Sequence, residues 1–237
     1  REQQPEQKQR RAARAEKDWF ASLYTNEGIE LRADERVFVL YALLNAMGYD
    51  EAPVVRRFPV PERAMHPVRS ELRRAIALDP MFVRGLDAFF DAHPEPVEAY
   101  ARYALTIEGP GGFAATAASP ASLRGLEALL AQAWTSQKLE ALFARAQPEY
   151  RSALRDYHAV VDSAVLEVRR LLKVKEDEAP RVVLVVNLLD GQGEAVAGTV
   201  GEELFVVVGP SSEPDLYAVA LEVARARLAP VVGPKAA

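Results

Sequence analysis

Cysteine is absent from the 237 residues, which excludes disulfides, thiolate metal sites and cysteine nucleophiles. No apolar run approaches the roughly 20 residues that a membrane-spanning helix requires, so no transmembrane segment is expected. A basic excess is missing too. The 29 Lys and Arg residues stand against 34 Asp and Glu, a net charge of −5; a nucleic-acid partner, which selects for a basic face, is not expected. Walker loops, dinucleotide fingerprints and serine-nucleophile motifs do not occur. Isoleucine is scarce (Ile29, Ile76, Ile107), while Arg outnumbers Lys by 23 to 6. That bias points to a GC-rich bacterial genome and says nothing about function.

What is present is ordinary for a globular protein: 49% hydrophobic and 27% charged residues, in a chain long enough for one large domain or two small ones. Residues 1–17 are polar, mixed in charge and without an apolar stripe, which reads as a solvated tail. Trp19, Phe20, Leu23 and Tyr24 give a first helical face that Asn26-Glu27-Gly28 ends. Val37, Leu40, Tyr41, Leu44 and Met47 then predict a buried helix from Ala33 to Met47, with Asp34 at its start and Gly48 at its end. Four prolines between Asp50 and Pro67 call for an extended strap. Further helices are predicted over Val68–Leu78, Pro80–Ala92 and Pro94–Thr106. Residues 108–120 are a loop, and Ser119-Pro120 opens a helix to Ala133. Residues 138–144 follow after a break. The longest helix is expected from Glu149 to about Val174, with Leu154, Tyr157, Val161, Ala164, Val168 and Leu171 as one seam.

Beyond Lys175 the character changes. Residues 181–189 (RVVLVVNLL) are β-branched and apolar without alternation, as in a strand covered on both faces. Asp190-Gly191-Gln192-Gly193 is a turn signal. Residues 195–200 and 204–208 are two more strands, and Gly209-Pro210 stops the sheet. A last helix begins near Ser211 or Ser212, carries Asp215 in its first turn and ends at Pro230. The fold class is therefore α+β and predominantly helical, with an N-terminal helical part followed by a small β-sheet and a C-terminal helix. The divisions are a tail (1–17), a helical region (18–175) and the sheet–helix unit (176–237). One continuous domain stays open, because helix 149–174 could belong to either part.

Within the last helix stands Leu221-Glu222-Val223-Ala224-Arg225. The strand–hairpin–strand–turn–helix order of residues 181–230, with LEVARARLAP at its end, resembles the core of gluzincin-type zinc metallopeptidases. There a mixed sheet with an exposed edge strand precedes a helix bearing H-E-x-x-H. The resemblance places Glu222 at the general-base position and Leu221 and Arg225 at the two histidine ligand positions, both degenerate. It implies a lost zinc site, hence no catalytic residue, no metal and no cofactor. The short stretch after Pro230 adds to this expectation, because it leaves little room for a third ligand. The plainer reading of the same residues is an amphipathic helix with a Glu222–Arg225 ion pair.

His158, with Asp156 and Asp162 nearby, is a separate metal or acid–base candidate, whereas His66 and His93 sit beside prolines at segment edges. Three functions follow. The first is a non-catalytic metallopeptidase-like protein acting through an unknown protein or peptide partner, or as a structural part of a larger protein. The second is a helical scaffold unrelated to peptidases, in which the sheet is not followed by a helix lying beneath it. The third is an active zinc hydrolase with other ligands. The family's frequent export and the Arg1 start point to a secreted or periplasmic bacterial protein; the oligomeric state stays open.

Overall fold

The computed structural model describes residues 22–51, 67–109, 112–174, 180–191, 195–209 and 211–232. The tail 1–17, most of the proline-rich strap, His66 and the Lys175–Glu178 junction lie outside them. The described chain is α+β and predominantly helical. Its sheet has five strands: β1 (Ser22–Tyr24), β2 (Glu30–Arg32), β3 (Arg181–Val186), β4 (Val196–Val200) and β5 (Glu203–Val208). Their spatial order is β1-β2-β3-β5-β4; the inner pairs β2–β3 and β3–β5 are parallel, and β1 and β4 are antiparallel edges. The helices are α1 (Glu35–Ala46), α2 (Val68–Ala75), α3 (Pro80–Ala92), α4 (Val97–Thr106), α5 (Leu126–Ser136), α6 (Leu139–His158), α7 (Val161–Leu171) and α8 (Leu216–Val232).

The first strand pair corrects the sequence reading. Ser22–Tyr24 is not the end of a helix, and Asn26-Glu27-Gly28 is not a helix stop. The three residues instead turn a hairpin, with Gly28 at φ +74° and the Thr25 amide donating to the Ile29 carbonyl at 3.0 Å. Both strands are three residues long, too short to show alternation against a helical spacing. Their inclusion also means that the sheet draws on both the 18–175 and the 176–237 stretches, and the buried apolar residues form one cluster.

Strand β3 is as the sequence predicts, apolar and covered on both faces: Val182 to Val186 are all buried, as are Leu204 to Val208 of β5. The strand ends at Val186, and Asn187–Asp190 continue as a buried turn. There the Asn45 side chain donates to the Leu189 carbonyl at 2.8 Å. Gly191 is held by close approach, since a Cβ would lie 2.4 Å from the Arg69 guanidinium and 2.5 Å from the Asp50 Cβ.

The helix expected over 149–174 is two helices with a different start. Helix α6 begins at Leu139 and passes through Pro148, whose ring faces solvent beside the exposed Ala144 that loses its hydrogen-bond donor. At Val160 the backbone leaves the helix (φ −134°, ψ −17°), and α7 starts again. The seam is kept in part across the break: Leu154, Tyr157, Val161 and Val168 are buried, but Val165 takes the inward place expected of Ala164, and Leu171 is exposed. Other boundaries move as well: α2 stops at Ala75 instead of Leu78, and α4 starts at Val97 instead of Pro94. Pro120 leads into a 3-10 turn and α5 begins only at Leu126, and α8 runs on past Pro230 to Val232.

Asp34 ties the N-terminal strand to α1. Its carboxylate accepts from the Arg36 and Val37 amides and pairs with the Arg36 and Arg32 guanidinium groups at 2.6 and 3.1 Å. Arg36 in turn donates to the Leu105 and Ile107 carbonyls at the end of α4. Burial alone would raise the Asp34 pKa, but the charge and hydrogen bonds of Arg36, with Arg32 behind it, hold it below the usual carboxylate range. This stability is present above the unfolded value of about 4 and is lost as pH falls through the lower folded value. Asp34→Asn keeps a helix cap but removes the charge facing Arg36. Chemical denaturation should show a loss of about 2–3 kcal/mol at neutral pH and a flatter acid limb than the parent.

Candidate functional site

Helix α8 follows β5 in the chain. The Asp215 amide donates to the Tyr157 hydroxyl oxygen at 2.9 Å, and the Asp215 carboxylate caps the helix by accepting from the Ala218 amide. The helix packs against β5 and β4 and against α7. Val219 and Val223 are its buried stripe. Adjacent on the helical wheel, Glu222 is also buried, at 6% exposed, which is uncommon for a carboxylate.

The partner of Glu222 is Arg225. The guanidinium lies 2.6 Å from the Glu222 carboxylate, with the arginine side chain 59% exposed and the glutamate side chain 8%. One cation therefore covers the one buried acid on the helix from the solvent side. Leu221 is half-buried and offers no donor atom. These residues do not fit a divalent metal: the first ligand position is a hydrocarbon, and the second is a permanent cation already bonded to the acid that would serve as base. Among the described residues no group of three or more His, Asp or Glu side chains is placed to hold a metal ion.

The histidines do not supply an alternative centre. His158 meets the Tyr24 carbonyl through Nε2 at 3.0 Å, so it fastens α6 to β1 instead of facing Asp156 or Asp162. His93 stacks on Phe89 at 4.3 Å between ring centres, and its Nδ1 meets the Phe89 carbonyl at 2.8 Å. Both are explained by packing and helix-end satisfaction. A cavity of about 370 Å³ between the end of α2 and the α5–α6 junction, lined in part by Gln137, Lys138, Leu142 and Arg145, includes no residue of α8 or β4.

Two polar features had been passed over in the sequence. Arg181, which opens β3, pairs with Glu30 of β2 at 2.5 Å and Glu203 of β5 at 3.1 Å, forming a charge ladder across the parallel strands. Arg32 joins it over the Phe205 ring at 5.0 Å. The signal was legible, since both apolar strands open on an opposite charge. The other is Arg102 of α4, which donates through Nε to the Ala197 carbonyl of the edge strand at 2.9 Å. Nothing local in the sequence marks it, because the two residues are 95 apart.

No helix among the described residues is long and apolar enough to cross a membrane. The chain matches no protein-family model, no curated protein and no solved structure.

The Glu222–Arg225 pair makes a measurable claim about α8. Arg225→Leu leaves the buried carboxylate uncovered and should cost about 1 kcal/mol, more than the few tenths of a fully solvated i,i+3 pair. Glu222→Gln in the same chain should recover most of the loss. Denaturant unfolding of the two single variants and the double variant gives the coupling directly.

Proposed function

We propose that this chain is a non-catalytic, metallopeptidase-like protein, whose former ligand helix now serves the core and whose role is binding or structural support within a larger protein. The observation that carries this reading is the buried Glu222 on a helix beneath the β5–β4 edge, with Arg225 paired to it at 2.6 Å and Leu221 beside it. A mixed sheet whose antiparallel edge strand β4 lies beside β5, followed at once by a helix packed on those two strands, is the order expected of the gluzincin core. The unrelated scaffold predicts no such helix under the sheet. Supporting it further, a plain surface helix has no need to bury an acid, whereas a helix that once turned this position to a metal site would retain one.

The chemistry left to these residues is electrostatic and structural. Glu222 has its charge balanced within its own helix, so it acts neither as a free base nor as an open acceptor for a substrate proton. A partner, if peptide or protein, would be met by surface and backbone groups and not cleaved.

Metal analysis of protein loaded with zinc and then dialysed should find no stoichiometric metal, and a peptidase assay on unstructured polypeptide should find no hydrolysis above buffer. Stoichiometric zinc lost on Glu222→Gln, or hydrolysis abolished by that substitution, would overturn the reading.

A further inference from the structure

We infer that Arg102 is a built-in cap on the free edge of β4, and that it keeps this strand from pairing with β4 of a second copy of the chain. The inference is independent of the metallopeptidase reading. Strand β4 ends the sheet. Its hairpin to β5 is closed by the two residues Gly201 and Glu202, with Val200 opposite Glu203. In such a hairpin the closing pair exchanges both backbone hydrogen bonds, and bonded pairs recur at every second residue. Val200, Gly198 and Val196 therefore bond inward to Glu203, Phe205 and Val207. Ala197 and Thr199 turn their amides and carbonyls outward, toward the edge.

Arg102 meets that outward surface. Its Nε donates to the Ala197 carbonyl at 2.9 Å, and its stem passes over Gly198, where an added Cβ would lie 3.2 Å from Arg102 Cγ. Glycine at this position admits the stem, and the guanidinium puts an exposed, charged group across the place a neighbouring strand would occupy.

The occupant excluded is argued from the strand itself. The sequence VAGTV (196–200) has no charge and no proline, the usual devices that blunt an edge. It is also self-complementary. A two-fold axis at Gly198 sets Ala197 opposite Thr199 of the second copy and Thr199 opposite its Ala197, so each outward pair exchanges two hydrogen bonds in an isologous ladder. With the guanidinium on Ala197, that ladder loses its acceptor at both ends.

Arg102→Met keeps the stem over Gly198 and removes the donor, and Arg102→Ala removes both. Sedimentation equilibrium of the full chain should show an apparent mass rising toward two chains with concentration for both variants, with an association constant at least tenfold above the parent's. Hydrogen exchange should slow at the Thr199 amide in the associated form. Adding Thr199→Pro, which removes an outward amide that the β4–β5 ladder does not use, should return the Arg102→Met chain to the parent's mass. Equal association constants for Arg102→Met and parent, with Thr199 exchange unchanged, would overturn the inference. So would self-association that Thr199→Pro leaves intact. A matching thermal transition in Arg102→Met and parent shows that folding is not the variable.

Discussion

The parallel pairing of β3 with β2 on one side and β5 on the other is the constraint on which the rest of the molecule depends. A strand paired on both edges and covered on both faces has no position left for a solvated side chain. From Val182 to Val186 every residue is therefore a buried aliphatic, and the same holds from Leu204 to Val208 apart from the buried Phe205. Charge is admitted only where these strands begin, at Arg181 and Glu203, and there the two register opposite each other and neutralise locally. The helices follow from this demand. Helix α6 lies against β1, β2 and β3, α8 against β5 and β4, and α4 against β4, so each supplies apolar cover for strands that cannot stand in water.

Helix α8 shows how a helix packed on a sheet can keep a buried acid. Its buried stripe, its Asp215 cap and its packing on the sheet need only apolar and capping residues, and these are present. A carboxylate buried at this depth needs a counter-charge within reach. Arg225 provides it from one turn away. The arginine that balances Glu222 is thus what allows the acid to stay buried.

The sequence showed most clearly those elements whose pattern is long. Strand β3, the β4–β5 hairpin, α3 and the α1 cap at Asp34 were all legible, because each rests on a run of apolar residues or a local capping contact. What escaped were features decided at a distance. Ser22–Tyr24 is a strand only because Leu31 and its neighbours pair with β3, and three residues carry no period of their own. The break at Val160 leaves the apolar spacing nearly intact, with Val161 and Val168 still inward, so no spacing rule detects it. At α8 the residues of interest were visible, but the burial of Glu222 and its pairing were not, since i,i+3 ion pairs on surface helices have the same sequence. The Arg102–Ala197 contact depended wholly on how α4 crosses the edge strand.

The place of β2 in the sheet has a consequence for how the molecule is made. Glu30 finds its partner in Val183, Leu31 in Leu184 and Arg32 in Val185, a separation of 153 positions in each case. Contacts that distant are entropically late, whereas the hairpin β1–β2 and the helices between can form from neighbouring residues alone. On the ribosome the short N-terminal hairpin must therefore wait, with an open parallel edge, until β3 has been synthesised and released. The native sheet needs this long-range closure, and the helical segment between the two strands is the tether whose compaction brings it within reach.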